Sequence, residues 1–185
     1  MATLAGVLLL LVVTTSGAED SPCGGTLTED RGYFHTPNFP GPFAVPASCR
    51  WIIDSSARPQ GVAIVLYLTQ LYVSAGLTFK EFGYYEPDSP LQLDGRLLYS
   101  VNENNVVSGQ WLWTKTNYLV VELELDRLEG NQLRVLDDLL DVFGFNITYE
   151  FVEVEDSETP PVKNDSCSAV GCSLAGNCYA AADYS

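Results

Sequence analysis

Residues Ser48–Asp54 read SCRWIID. Side chains on an extended chain alternate between two faces, so Cys49, Trp51 and Ile53 share one face of a predicted strand. The same signal recurs outward from it. Gly61–Leu71 (GVAIVLYLTQL) is β-branched and aromatic and predicts a second strand. Thr116–Leu125 (TNYLVVELEL) alternates at Leu119, Val121, Leu123 and Leu125, and Phe143–Phe151 (FGFNITYEF) alternates likewise. Gly76–Tyr85 and Gly95–Val101 are shorter candidates. Several such runs with turn residues between them predict an all-β chain, an antiparallel β-sandwich. Arg31–Pro46 is dense in Pro and Gly and reads as extended loop. Asn131–Val142 (NQLRVLDDLLDV) is ambiguous. Its leucines recur at helical spacing, and a strand with a turn fits equally well.

The ends of the chain differ from this middle. Leu4–Val13 is an unbroken apolar run, too short for a bilayer that needs about 20 residues. It ends in Ser16-Gly17-Ala18, so residues 1–18 read as a secretory signal peptide cleaved after Ala18. The longest later apolar run, Val62–Leu68, is strand-sized, so no transmembrane span is expected in this chain. Residues 153–166 hold Glu153, Glu155, Asp156, Glu158 and Pro160-Pro161 and read as an acidic linker. Five cysteines in a secreted chain predict a disulfide framework. They fall into two groups, Cys23 with Cys49, and Cys167, Cys172 and Cys178. Asn146-Ile147-Thr148 and Asn164-Asp165-Ser166 are N-glycosylation sequons.

The stretches Cys23-Gly24-Gly25-Thr26-Leu27, Pro37-Asn38-Phe39-Pro40 and Cys49-Arg50-Trp51-Ile52-Ile53 resemble the opening of a CUB domain. Gly144-Phe145-Asn146-Ile147-Thr148-Tyr149 is similar to the closing strand of that family. The resemblance covers about residues 23–152, within a domain read as 19–152, and implies a jelly-roll sandwich and a Cys23–Cys49 disulfide. Closing that loop of about 25 residues would contribute roughly 3 kcal/mol. The chain departs from the family twice. No cysteine lies between Cys49 and Cys167, so the middle strands lack a second bridge. The acidic residues with which many CUB domains hold Ca²⁺ are also not matched. Asp126 alone could stand for one ligand, whereas Ca²⁺ needs six to eight oxygens, so no metal site and no cofactor are expected. Asp126, Glu122 and Glu124 read as a solvated strand face. The tail, residues 167–185, resembles the first half of an EGF-like module and implies a Cys167–Cys178 bridge with Cys172 left over.

The charge and motif content narrow the function. With 24 Asp and Glu against 9 Lys and Arg, the chain carries a net charge of -15. Nucleic acid is therefore excluded as a partner, because its phosphates need cations. A basic partner remains compatible. His35 is the sole histidine, and no H-E-x-x-H, G-x-S-x-G or P-loop motif occurs, so catalysis is not expected. Adjacent acids such as Asp137-Asp138 do not converge on a regular element. The expectation is an extracellular binding module, secreted or at the outer face of the plasma membrane, for a protein or glycan ligand. The alternatives are the N-terminal ectodomain of a longer membrane receptor and an accessory CUB segment of a secreted protease. Phe34, Phe39, Phe43, Tyr84 and Tyr85 are the candidate contact aromatics, any of which could equally belong to the core.

Overall fold

The computed structural model describes residues 23–87, 89, 95–105, 111–129, 132–135, 140–154 and 161. These form eleven strands and no helix. In chain order they are β1 (Gly24–Leu27), β2 (Arg31–His35), β3 (Ala47–Asp54), β4 (Val62–Leu71), β5 (Leu77–Phe82) and β6 (Arg96–Ser100). There follow β7 (Trp111–Thr114), β8 (Tyr118–Leu125), β9 (Gln132–Val135), β10 (Leu140–Phe143) and β11 (Phe145–Glu153).

One sheet has the order β1-β3-β8-β5-β6 and the other β2-β11-β4-β7. Every pairing is antiparallel except that of β1 with β3, which is parallel. The alternation read from the sequence sets the core. Cys49, Trp51 and Ile53 of β3 and Leu119, Val121, Leu123 and Leu125 of β8 point inward from the first sheet. Ile64, Leu66 and Leu68 of β4 and Phe145, Ile147 and Tyr149 of β11 meet them from the second. Trp51 lies against Phe34 and Phe145, each 5.3 Å away between ring centroids, and so joins the two sheets. The fold is thus the predicted all-β sandwich.

The structure resolves the ambiguous segment. β9 and β10 form an antiparallel hairpin, with Gln132 opposite Phe143 and Val135 opposite Leu140. The leucine spacing there mimics a helix, but the described residues pair as two strands, which satisfies their backbone. Part of the region read as loop is also strand. Residues 31–35 precede Pro37, the first proline of that stretch, so no proline in them opposes pairing, and β2 bonds to β11. β1 lies in what read as a turn-rich entry. Gly24 has φ +107, and a Cβ there would fall 2.3 Å from the Arg50 carbonyl oxygen, so only glycine lets β1 lie so close to β3. At the other end, Glu153 belongs to β11 rather than to the linker, pairing with Val62, and the Val154 N–H donates to the Gly61 carbonyl at 2.7 Å.

Candidate binding cleft at the β1–β2 edge

β1 and β2 are edge strands of opposite sheets, joined by residues 28–30, and a cleft of about 280 Å³ opens between them. Phe34 and Trp51 line its buried part. Cys23, Gly24 and Leu27 line it from the β1 side, and Tyr33, His35 and Pro37 from the β2 side. Cys23 is held there by a disulfide to Cys49, with a Cα–Cα distance of 5.2 Å. Tyr33 is about half exposed, and its ring stacks on that of His35 at 5.9 Å with planes 16° apart. His35 Nδ1 lies 2.9 Å from the Thr36 carbonyl oxygen, a hydrogen bond that only the Nδ1-protonated ring can donate. The loop beyond is internally tied. Asn38 Nδ2 donates to the Pro42 carbonyl at 2.9 Å, and the Gly41 N–H donates to the Asn38 carbonyl at 2.7 Å.

The opposite side of the sandwich is closed. Glu81 takes an inward position on β5, where it is buried, and accepts hydrogen bonds from Arg96 of β6 and Thr114 Oγ1 of β7. A carboxylate buried there is tolerable because both of its oxygens are occupied. The clasp joins the first sheet, through β5, to the second, through β7.

On the outer face of the first sheet, Glu122 sits between Arg50 at 3.0 Å and Lys80 at 2.9 Å. Partial burial pushes its carboxyl up, but the Lys80 and Arg50 bonds and charges outweigh that and hold it below the ordinary value. A depressed carboxylate contributes stability above its unfolded pKa of about 4.3, and that contribution is lost as pH falls through the folded pKa. Glu122→Gln is therefore expected to cost about 0.5–1 kcal/mol at neutral pH, the range of partly exposed pairs. Urea unfolding from pH 7 to pH 3 should show the difference from wild type shrinking towards zero at the acid end. A difference independent of pH would mean that the pair is not the source.

The structure sorts the candidate residues. Phe34 and Phe43 are core, 3% and 6% exposed, because each fills space between the sheets. Phe39 is partly buried and stacks on Tyr72. Tyr85 packs on Phe82 and Tyr118, and Tyr84 is the most exposed of the five, at 69%, with its hydroxyl donating to Glu86 Oε2 at 3.2 Å. Glu122 is half-buried in its ion pairs, so the acidic face of β8 is less solvated than the sequence implied, whereas Glu124 and Asp126 are exposed. Among the described residues no three His, Cys, Asp or Glu side chains converge on one point. Asn146 lies on the outer side of β11 with its Nδ2 donating to Gln70 Oε1 at 2.7 Å. Asn164, Cys167, Cys172, Cys178 and residues 1–18 lie outside the described residues. Tyr33, half exposed at the cleft, is not among the candidates read from the sequence. The alternation of Gly32 and Phe34 against Tyr33 and His35 was the signal that could have found it.

No family model and no curated protein matches the chain. Among solved structures it is similar to the full extracellular region of zebrafish Gpr126/Adgrg6, at 17% identity and a TM-score of 0.47 over 72% of this chain and 15% of that one. It is also similar to the CUB1-EGF-CUB2 domains of rat MASP-1, at 15% identity and 0.47 over 73% of this chain and 47% of that one. The MASP-1 CUB2 domain bound to Ca²⁺ gives 12% identity and 0.42 over 69% of this chain and 98% of that one. The chain thus spans less than half the length of the first two structures. At these scores the likenesses are of outline. The opening Cys23–Leu27, the loop Pro37–Pro40, the strand holding Cys49 and Trp51 and the closing strand all lie within the one two-sheet β-sandwich.

Proposed function

We propose that this chain is an extracellular interaction module that holds part of a partner protein in the cleft between β1 and β2. The carrying observation is the cleft itself, with the half-exposed Tyr33 beside a buried Phe34–Trp51 floor. Interfaces draw most of their energy from a few aromatic anchors set in desolvated pockets, and Tyr is among the residues enriched there. The Cys23–Cys49 bridge and the leader read from residues 1–18 support contacts made outside the cell. The net charge of -15 favours neutral or basic surfaces on the partner.

The test uses the secreted protein spanning residues 19–185, screened against a panel of extracellular protein domains. Tyr33→Ala removes an exposed ring without opening the core. It is expected to weaken any saturable interaction about 30-fold, a loss of about 2 kcal/mol. Leu97→Ala, at a residue 54% exposed on β6, should leave the interaction unchanged. Binding lost with Leu97→Ala but kept with Tyr33→Ala would move the contact surface to the far side of the sandwich.

A further inference from the structure

The cleft runs beneath an open strand edge. In an antiparallel pair, alternate residues of a strand direct both backbone groups to one neighbour. The Thr36 N–H donates to the Phe145 carbonyl at 3.1 Å, and the Asp30 carbonyl accepts from the Phe151 N–H at 2.8 Å. With His35 opposite Asn146 and Gly32 opposite Tyr149, the even-numbered residues of β2 therefore bond to β11. The backbone N–H and C=O of Tyr33 and His35 point the other way. β2 ends its sheet there, with no strand beyond it among the described residues. Free edges are ordinarily blunted by proline, a bulge or covering chain, and β2 contains no proline and pairs with β11 without a register shift.

From this we infer that the partner segment binds as an added strand on the open edge of β2, placing one large apolar side chain in the cleft. The inference rests on the cleft being the binding site and specifies how it is used. A strand laid beside β2 would accept from and donate to Tyr33 and His35. Its side chains on the inner face would enter the sandwich mouth between Leu27 and Phe34. Those on the outer face would lie beside the Tyr33–His35 stack. The volume of about 280 Å³ is at the floor of the range for small-molecule sites and suits a side chain, with main-chain bonds supplying the rest. With 24 acidic against 9 basic residues on the chain, the occupant is an extended neutral or basic segment of another protein, since an acidic one would be repelled.

The probe is a library of linear ten-residue peptides with capped ends, selected against the 19–185 protein. Selected peptides should be neutral or basic, with one large apolar residue. N-methylation along such a peptide should abolish binding at every second position, because only alternate amides face β2. On binding, hydrogen exchange at the Tyr33 and His35 amides should slow at least tenfold, while the Gly32 and Phe34 amides, already in the ladder, should change little. His35→Pro deletes one edge donor on the side that tolerates proline, and it should weaken binding at least tenfold relative to His35→Ala, which lacks the same imidazole. If N-methylation has no period of two while Tyr33→Ala still abolishes binding, the added strand is overturned and the cleft survives. If no peptide binds, or if the free protein is a dimer with the Tyr33 amide already protected, the edge is not a peptide site and the inference fails.

Discussion

Trp51→Ala is expected to lower the unfolding free energy by about 3–5 kcal/mol, the range for deleting a buried aromatic from a core. Trp51 is 4% exposed and meets rings from two strands of the opposite sheet, Phe34 of β2 and Phe145 of β11. Phe34 and Phe145 also touch each other edge-on at 5.9 Å, so the three rings form one cluster across the sandwich. Alanine would leave the other two facing a void that the sheets cannot close, because β3 is fixed along its length by eight pairs with β8. Urea unfolding should show a lower midpoint with an unchanged slope. A loss below about 1 kcal/mol would mean that the cluster relaxes around the gap and that Trp51 does not join the sheets as described. Ile52→Ala, one residue along and on the outer face, should cost less, because its side chain has no part in the central core cluster.

The reading of SCRWIID succeeded because period-two alternation is a property of the backbone, and burial on one face follows wherever a second sheet is present. The same alternation located β4, β8 and β11, whose inner residues are all but closed to solvent. It failed where strands are short or carry little apolar content. β1 has two glycines in four residues, and β7 (WLWT) has no apolar–polar alternation, its two tryptophans opposing Val65 and Tyr67 on the outer face of β4. The cleft was legible only in part. The CUB-like opening located the disulfide and Trp51, but the space between β1 and β2 exists only once two sheets are stacked. The outward face of Tyr33 follows from its alternation with Phe34, but no local pattern states that β2 is an edge. For the same reason the sequence left Phe34 and Phe43 open between contact and core. A phenylalanine in a loop-like segment carries no sign of what will cover it.

Removing the bridge with the double substitution Cys23→Ala and Cys49→Ala is expected to lower stability by about 3 kcal/mol, the loop-entropy value for a sequence separation of 26. For a domain of this size that is a fall in Tm of roughly 10 °C. The loss should not be uniform. β1 contributes four residues, three of them exposed, and holds to β3 through a four-residue parallel ladder. Such a short edge strand gains little from burial, and freeing Cys23 returns to it the chain entropy that the bridge had removed. β1 should therefore open locally before the domain unfolds. Exchange at the Thr26 and Leu27 amides should quicken by more than the global loss requires, while Val121 of β8 tracks the global value. Trp51→Ala supplies the contrast, since it lowers global stability to a similar extent but leaves the bridge in place, so the β1 amides should follow the rest of the domain. Cys23, Gly24 and Leu27 line one side of the cleft, so the double variant should also lose binding at temperatures where the remainder is folded. If the β1 amides stay protected in the double variant and the cleft still binds, the parallel ladder alone holds β1, and the bridge serves the unfolded chain rather than the site.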